Sequence, residues 1–255
     1  MDGRFEKVIH TLTRPTTLAP TVRLGAKGNA LPWWKRSLDL VGCFLALPLL
    51  ALCTLVMFVV MRRVSPGPVF YYQDRIGYMG RRFRLFKFRT MKQDADCAVH
   101  DAHCTDLIRT NAPMIKLDQR SDARLIPFAW ILRAAGLDEL PQIINVLRGE
   151  MSLVGPRPCT PAEFAHYRSW HRQRCDALPG LTGLWQVSGK NRTTFEEMIG
   201  LDLRYTRNVS LWQDLRIIAL TPCCLLRQVR ETRRARAKLA EPRTIQTACG
   251  EPGTA

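Results

Sequence analysis

An uncharged apolar stretch near the N-terminus constrains this chain more than any other feature. Leu40 to Val60 contains 21 residues without a charged side chain. As a straight helix it would extend about 31 Å, close to the thickness of the hydrocarbon core of a bilayer. The sequence therefore predicts a membrane-embedded helix, and a buried core helix of a soluble protein is disfavoured.

Two features of this stretch bear on how it meets the membrane. Lys35 and Arg36 precede it, and Arg62 and Arg63 follow it, so the positive-inside rule sets no orientation. Pro48 divides it into arms of 8 and 12 residues, neither long enough to cross, and favours a sharp bend. A re-entrant helix that returns to the same membrane face accounts for both features. A single spanning helix is the alternative.

Two adjacent acids, Asp138 and Glu139, stand where a helix is predicted to begin. They follow Gly136 and precede Pro141, a residue tolerated only in the first turn of a helix. Carboxylates there face the positive end of the helix dipole, which favours their ionised form. An ionised Asp can serve as a nucleophile or as a ligand of a hard cation. Taken alone, the pair is equally compatible with an ordinary helix cap.

A rigid turn, Pro156-Arg157-Pro158, follows this helix after about seven residues. Its guanidinium has the geometry to hold a phosphate or pyrophosphate through two parallel hydrogen bonds. Upstream, aromatic and apolar residues predict strands at Val69–Gln73 and Arg82–Thr90. Lys87 and Arg89 lie two apart in the second strand and should point to one face, which could also be a solvated basic face.

The charge balance limits the partners. Against 22 acidic residues the chain has 38 basic ones, a formal net charge of +16 that attracts nucleic acid, anionic lipid or phosphate-bearing substrates. The sequence shows no zinc-finger spacing, ribonucleoprotein motif or recognition helix, and it does contain a membrane segment. Lipid and phosphate substrates are therefore favoured over nucleic acid.

The cysteines indicate a reduced environment. Nine cysteines without disulfide-type spacing are typical of a domain that faces the cytosol. One cluster contains two cysteines and two histidines within eight residues: Cys97, His100, His103 and Cys104. Its spacing fits no common zinc module, so a plain connecting helix is favoured and zinc binding is the alternative.

The run from Gly136 to Pro158 resembles the signature of the bacterial sugar transferases, the monotopic phosphoglycosyl transferases. Five further blocks are similar to this family in the same order, and the resemblance extends from about residue 33 to about residue 226. The blocks are Lys35-Arg36-Ser37-Leu38-Asp39, residues 65–77, Phe86-Lys87-Phe88-Arg89-Thr90-Met91, residues 179–189 and residues 201–215.

The resemblance implies transfer of a sugar 1-phosphate from a UDP-sugar to undecaprenyl phosphate, with release of UMP. This is the initiating step of exopolysaccharide, O-antigen or glycoconjugate assembly, at the cytoplasmic face of the bacterial inner membrane. It assigns Asp138 as nucleophile and gives Glu139 a part in Mg²⁺ binding or proton transfer, both acids being metal ligands. It places substrate contacts at Lys87, Arg89, Arg124, Pro156, Arg157 and Pro158, and membrane-segment residues at Lys35, Arg36, Asp39 and Pro48.

The sequence departs from the family pattern at three positions. Leu47 precedes Pro48 where many members have Ser, Ala123 replaces the proline before Arg124, and Gly136 stands where Ser is common. Two rival functions therefore remain open. One is a catalytically silent membrane scaffold of a polysaccharide-assembly complex, and the other is a basic nucleic-acid binder.

The predicted fold class is α+β, a small membrane-associated catalytic domain with an N-terminal re-entrant membrane helix and interfacial helices. Residues 1–32 are predicted to form a poorly ordered tail and residues 33–63 the membrane helix. Residues 64–226 form the catalytic domain and residues 227–255 a basic C-terminal tail. Leu211–Leu226, broken by Pro222, suits an amphipathic segment on an anionic membrane surface, although an ordinary docked helix is an alternative.

Overall fold

The computed structural model describes residues 31–92, 105–113, 124–127, 129–190 and 193–240. The helices are α1 (Trp33–Val64), α2 (Ala129–Ala135), α3 (Ile143–Leu147), α4 (Pro161–Ala165), α5 (Ser169–Arg172), α6 (Leu184–Val187), α7 (Phe195–Arg207) and α8 (Leu211–Ala240). The strands are β1 (Phe70–Ile76), β2 (Arg82–Phe88), β3 (Ser152–Val154) and β4 (Gly180–Thr182). Short 3₁₀ segments lie at Tyr78–Gly80, Leu137–Gln142 and Gln173–Asp176, and residues 105–110 are also helical. This mixture confirms an α+β fold. The cluster Cys97, His100, His103 and Cys104 lies outside the described residues, as does Ala123.

Helix α1 continues through Pro48 as one helix of 32 residues. By length and composition it is able to cross a membrane. The predicted division into two arms is not seen. Leu47 and Leu50, on either side of the proline, pack into one apolar cluster with Phe88 and Ile126. This packing stabilises the helical conformation across the hydrogen bond that Pro48 cannot make.

The two faces of α1 have different surroundings. One face packs against the rest of the protein along nearly the whole helix, and its buried residues are Lys35, Asp39, Cys43, Leu50, Met57 and Met61. The opposite face is apolar and open, with Leu45 78% exposed and Leu55 62% exposed. The helix is therefore docked on one side and unpartnered on the other among the described residues.

Strands β1 and β2 form an antiparallel hairpin, which confirms the two predicted strands. Tyr71 lies opposite Lys87, and Arg75 lies opposite Phe83. Because side chains directly opposite one another point to the same face, Arg75 and Lys87 share one face of the hairpin. Arg89 lies one residue beyond the end of β2.

A short parallel pair, β3 and β4, carries the chain into the turn at residues 156–158. Gly155 and Gly180 let the two backbones approach closely: a Cβ on Gly155 would lie 2.2 Å from the Leu178 carbonyl oxygen. A Cβ on Gly180 would lie 2.0 Å from the Gly155 nitrogen. Only glycine fits at these two positions, and the close pairing fixes where the turn begins.

Helix α8 does not break at Pro222 and continues past residue 226, where the catalytic domain was predicted to end. Leu225 packs against Gly136, and Gln228 donates a hydrogen bond to the Arg133 carbonyl oxygen at 3.3 Å. These contacts lie on both sides of the predicted boundary, and they hold the helix to α2 beyond the proline.

Candidate active site

Asp138 and Glu139 stand in the first turn of the 3₁₀ segment Leu137–Gln142, which leads directly into α3. The predicted position at a helix start is confirmed, although the first turns are 3₁₀ rather than α-helical. Pro141 accounts for this difference sterically, because in an α-helix its ring would clash with the carbonyl of Leu137, four residues earlier. Gly136 precedes the acids with φ 70°, a left-handed conformation that suits glycine. Asp138 is buried and Glu139 is half-buried.

A cation lies directly beside the acidic pair. Lys87 Nζ is 3.2 Å from Glu139 Oε1, and both side chains are partly buried. The strand β2 therefore brings one of the two predicted basic residues to the acids. Partial burial lowers the effective dielectric, so the attraction in this pair is stronger than on an open surface.

Asn145 determines how α3 meets the hairpin. Its Nδ2 donates to the Arg84 carbonyl oxygen at 2.7 Å, and its Oδ1 accepts from the Phe86 N–H at 3.1 Å. The amide thus pairs with the open edge of β2 as a neighbouring strand would. Asn145 is fully buried, and this pairing places Glu139 against Lys87. Sequence analysis missed Asn145, since nothing in the local pattern marks an amide for this role.

The hydrogen bonds of Arg89 lie away from the acidic pair. Its Nε donates to the Pro68 carbonyl oxygen at 2.8 Å, and its Nη1 donates to Ser65 Oγ at 3.2 Å. The guanidinium is buried and holds the segment that follows α1. The backbone of Arg124 accepts a hydrogen bond from the Lys92 N–H at 2.9 Å. Substrate contacts by Arg89 and Arg124 stay predictions.

The turn at residues 156–158 is held firmly at its exit. The Ile76 N–H donates to the Cys159 carbonyl oxygen at 2.9 Å, and Arg75 Nη1 donates to the Pro158 carbonyl oxygen at 3.2 Å. A depression of about 210 Å³, counted with its open mouth, lies against the turn. It is lined by Ile76, Gly77, Pro156, Arg157, Pro158, Cys159, Arg174, Cys175, Ala177 and Pro179.

Arg75 links the turn to the acidic pair. Burial lowers the pKa of Arg75, and the charge of Arg157 lowers it further, whereas Glu163 and Glu139 raise it. Lys87 lies opposite Tyr71, which is four residues from Arg75 on the same face of the hairpin. Arg75 and Lys87 are therefore about 13 Å apart along the strand direction. One face of the hairpin therefore contacts the arginine turn through Arg75 and the acidic pair through Lys87.

Two buried carboxylates support the turn. Burial alone would raise the pKa of Glu163, but Arg157, Arg75 and Arg174 together lower it below its usual value. Burial raises the pKa of Asp202 to about 6, and its ion pair with Arg174 opposes this rise. The neighbouring guanidinium groups favour the ionised form of both carboxylates. Glu163 was recognisable only as the second member of a Thr160–Glu163 capping box, and the burial of Arg174 left no local signal.

Lys35 was predicted to flank the membrane but is buried inside the protein. Its Nζ donates to Asp214 Oδ2 at 2.7 Å, to the Tyr205 hydroxyl at 2.9 Å and to the Val154 carbonyl oxygen at 3.0 Å. These partners belong to β3, α7 and the first turn of α8. Lys35 therefore joins the start of α1 to three other elements.

The next two charges of the same motif also bind protein groups. Arg36 donates to the carbonyl oxygens of Val146 and Leu147, at 2.6 Å and 2.8 Å, at the end of α3. Asp39 accepts from the Leu153 N–H at 2.8 Å and from Ser152 Oγ at 2.9 Å. The motif thus connects α1 to α3, the helix that follows the acidic pair.

The donor set at Asp138 and Glu139 fits Mg²⁺ shared with a substrate. Among the described residues no group of three or more His, Cys, Asp or Glu side chains could hold a metal alone. Mg²⁺ is commonly bound by one or two carboxylates together with substrate phosphates, and adjacent carboxylates provide that minimal set.

Comparison with known proteins agrees with this geometry. The galactosyl transferase CpsE of Streptococcus agalactiae serotype III (strain NEM316) is 38% identical over 188 residues, 73% of this chain and 41% of the relative. A UDP-glucose:undecaprenyl-phosphate glucose-1-phosphate transferase of Caulobacter vibrioides (strain ATCC 19089 / CIP 103742 / CB 15) is 38% identical over 222 residues, 83% of this chain and 78% of the relative. The exopolysaccharide production protein ExoY of Rhizobium meliloti (strain 1021) is 36% identical over 187 residues, 73% of this chain and 83% of the relative.

These relatives differ in length. The chain spans about two fifths of CpsE and of a UDP-galactose-lipid carrier transferase of Erwinia amylovora. The family model for bacterial sugar transferases matches residues 30–228, which include α1, the hairpin, the acidic pair and the arginine turn. The chain therefore belongs to the bacterial sugar transferase family.

Proposed function

We propose that this protein transfers a sugar 1-phosphate from a UDP-sugar to undecaprenyl phosphate and releases UMP, as the initiating step of polysaccharide or glycoconjugate assembly. The observation that carries the proposal is the placement of the buried Asp138 next to the Lys87–Glu139 ion pair. The arginine turn, which contacts the same face of the hairpin through Arg75, would add positive charge for a nucleoside diphosphate. The name of the Caulobacter relative describes transfer of glucose 1-phosphate from UDP-glucose to undecaprenyl phosphate.

The proposed chemistry has two displacements at one phosphorus atom. In the first, a carboxylate oxygen of Asp138 attacks the β-phosphorus of the UDP-sugar. The bond from that phosphorus to the bridging oxygen breaks, UMP leaves with the electron pair, and the sugar phosphate remains on Asp138. In the second, an oxygen of undecaprenyl phosphate attacks the same phosphorus and releases the Asp138 carboxylate.

The surrounding charges have separate tasks in this scheme. Lys87 and Arg157 would stabilise the negative charge on the diphosphate as it develops in the transition state. Bound Mg²⁺, held by Asp138 and Glu139 together with the substrate phosphates, would offset the same charge. Lys87 would also hold Glu139 beside the nucleophile through their ion pair.

We infer that α1 attaches the protein to one side of the membrane. At its start Asp39 bonds to Leu153, and near its end Met61 packs with Phe88, so both ends contact the same domain. A helix that separated its ends across a bilayer could not keep both contacts. These contacts support a helix whose two ends lie at the same face of the membrane, which we propose is the cytoplasmic face of the inner membrane. The bend at Pro48 that a re-entrant hairpin would need is not seen, because α1 is continuous. Fluorescent protein fused to the N-terminus or to the C-terminus of the chain should fluoresce, because both termini would lie in the cytoplasm. An N-terminal fusion without fluorescence would favour a spanning helix.

Intact-protein mass spectrometry tests the chemistry. Wild-type protein incubated with UDP-sugars and Mg²⁺, without lipid acceptor, should gain the mass of a sugar phosphate and release UMP. Asp138→Asn should do neither, whereas Glu139→Gln should slow turnover and retain a slowly formed adduct. Asp74→Asn, which changes an exposed aspartate of β1, is the matched control and should behave as wild type.

Three results would contradict parts of this proposal. An adduct on Asp138→Asn protein would show that another residue is the nucleophile. Turnover that always requires both substrates, with no adduct, would replace the two-step route with direct transfer. Absence of UMP release with any UDP-sugar would favour the catalytically silent scaffold.

A further inference from the structure

Arg157 is held from three directions. Arg174 Nη2 donates to its carbonyl oxygen at 2.8 Å, and Asp202 accepts from its backbone N–H. Glu163 Oε1 lies 3.6 Å from its Nη1. Arg174 and Asp202 are themselves ion-paired and buried. The backbone of the residue is thus fixed by one buried pair, and its guanidinium faces a third buried charge.

The two oxygens of Glu163 have separate roles. Oε2 accepts from the Thr160 N–H at 3.1 Å and completes the capping box of α4. Oε1 is buried and has no hydrogen bond among the described residues. A buried carboxylate oxygen without a hydrogen bond is costly, unless a nearby cation offsets the loss of hydration. The facing guanidinium of Arg157 provides that cation.

A second capping box in the same chain shows that capping alone does not account for the environment of Glu163. Glu197 accepts from the Thr194 N–H at 2.8 Å and caps α7 with the same arrangement of groups. Glu197 is exposed to solvent, whereas Glu163 is 4% exposed. Capping therefore does not require burial of the carboxylate. The burial of Glu163 and its approach to Arg157 need a different explanation.

We propose that Glu163 is a positioning residue that orients the guanidinium of Arg157 toward the phosphates of a nucleoside diphosphate. The proposal rests on the proposed function, because it takes Arg157 as a contact to the UDP-sugar. A guanidinium has five donors in a planar fork, so one edge can face Glu163 while another bonds to phosphate. If the guanidinium is already oriented before the substrate binds, less side-chain entropy is lost on binding.

The first test compares Glu163→Gln with Glu197→Gln. Glutamine can still accept the capping hydrogen bond, so each variant removes mainly the charge. Glu163→Gln should raise the KM for the UDP-sugar and the Kd for UDP by about tenfold, since a shift of about 1 Å in a binding group can cost up to 100-fold. The KM for undecaprenyl phosphate should not change, and Glu197→Gln should leave all three constants unchanged.

The second test asks whether Glu163 acts through Arg157. In an Arg157→Ala background, Glu163→Gln should weaken UDP binding no further, because the group it orients is gone. If the losses of UDP affinity caused by Arg157→Ala and by Glu163→Gln multiplied in the double variant, the two residues would act independently and the proposal would be overturned. If Glu163→Gln lowers the thermal midpoint by many degrees, Glu163→Asp replaces it. Aspartate keeps the charge but is one methylene shorter, and it should also raise the Kd for UDP.

The outcomes separate this inference from the proposed function. Wild-type protein that releases UMP, combined with unchanged UDP affinity in Glu163→Gln, overturns the positioning role alone. Wild-type protein that binds UDP more tightly than Glu163→Gln, but releases no UMP, overturns the proposed reaction and leaves the positioning role supported. Wild-type protein that neither binds UDP nor releases UMP overturns both.

Discussion

Helices α1 and α8 are similar in length, and a buried ion pair between Lys35 and Asp214 joins their first turns. Their exposed faces differ. The open face of α1 is apolar over almost its full length: Val41, Phe44, Leu45, Leu49, Leu52, Leu55, Val56, Phe58 and Val59. The open face of α8 begins with apolar residues, Leu211, Trp212, Leu215 and Leu226, and is then basic, with Arg230, Arg233, Arg234 and Arg236.

The difference indicates how deep each helix can lie. A continuous apolar face suits the hydrocarbon of a bilayer, whereas an apolar half followed by arginines suits the headgroup layer. The shared ion pair means that the two helices cannot be placed independently. Seating α8 at the interface therefore sets the position of the first turn of α1 relative to the membrane.

Breaking the shared pair should have the largest effect. Lys35→Met would leave Asp214 buried without its countercharge, a change that typically costs about 3–5 kcal/mol. We expect a large fall in the thermal midpoint of the detergent-solubilised protein. Lys35→Met combined with Asp214→Asn should recover most of the loss, because an amide needs no countercharge and still accepts from Tyr205.

The pH dependence sharpens this prediction. Burial raises the pKa of Asp214, and Lys35 opposes the rise. Without Lys35 the folded-state pKa should lie further above the unfolded value, so the folded variant binds more protons and loses stability as pH rises. Lys35→Met should therefore regain stability relative to wild type as pH falls from 7 toward 5. Arg168→Met, which breaks an exposed pair with Glu196, is the control and should have little effect.

A second prediction tests the depth assigned to each helix. Leu49 and Leu215 are similarly exposed, at 46% and 39%. Arginine near the middle of a membrane helix costs about 2.5–3.5 kcal/mol, whereas an arginine at the interface reaches the headgroups. Leu49→Arg should therefore reduce the fraction of protein that stays with membranes after alkaline carbonate extraction, and Leu215→Arg should not. Equal losses would place both helices at the same depth.

Local patterns in the sequence were sufficient for the parts of the molecule that depend on neighbouring residues. Richness in aromatic and apolar residues predicted the two strands of the hairpin, and the Gly136 and Pro141 positions predicted where Asp138 and Glu139 would stand. The absence of charge between Leu40 and Val60 predicted a long apolar helix. Each of these features is set by steric or hydrophobic preferences within a few residues.

The parts that the sequence could not predict depend on partners distant in the chain. Lys35 was assigned to the membrane segment because it lies in a family motif just before the apolar stretch, and nothing in that pattern indicates its ion-pair partner 179 residues away. Asn145 bonds to β2 across 59 to 61 residues. Hydrophobic periodicity carries no information about such polar pairings. Pro48 and Pro222 were predicted to interrupt helices that packing holds continuous.

The smallest effect is expected from single arginines on the second half of α8. Arg233→Gln should weaken binding to vesicles that contain anionic lipid by about 1 kcal/mol, roughly fivefold, because one basic residue near a charged surface contributes that much. Binding to neutral vesicles should not change, and added salt should reduce the difference between variant and wild type because it screens exposed charges. Sedimentation with vesicles of each composition measures both effects. Arg62→Gln is the comparison variant. Arg62 lies at the end of α1, where its guanidinium is 4.9 Å from the Phe58 ring centroid. If Arg233→Gln left binding to anionic vesicles unchanged, α8 would be held by its apolar half alone, and the contrast with α1 would be lost.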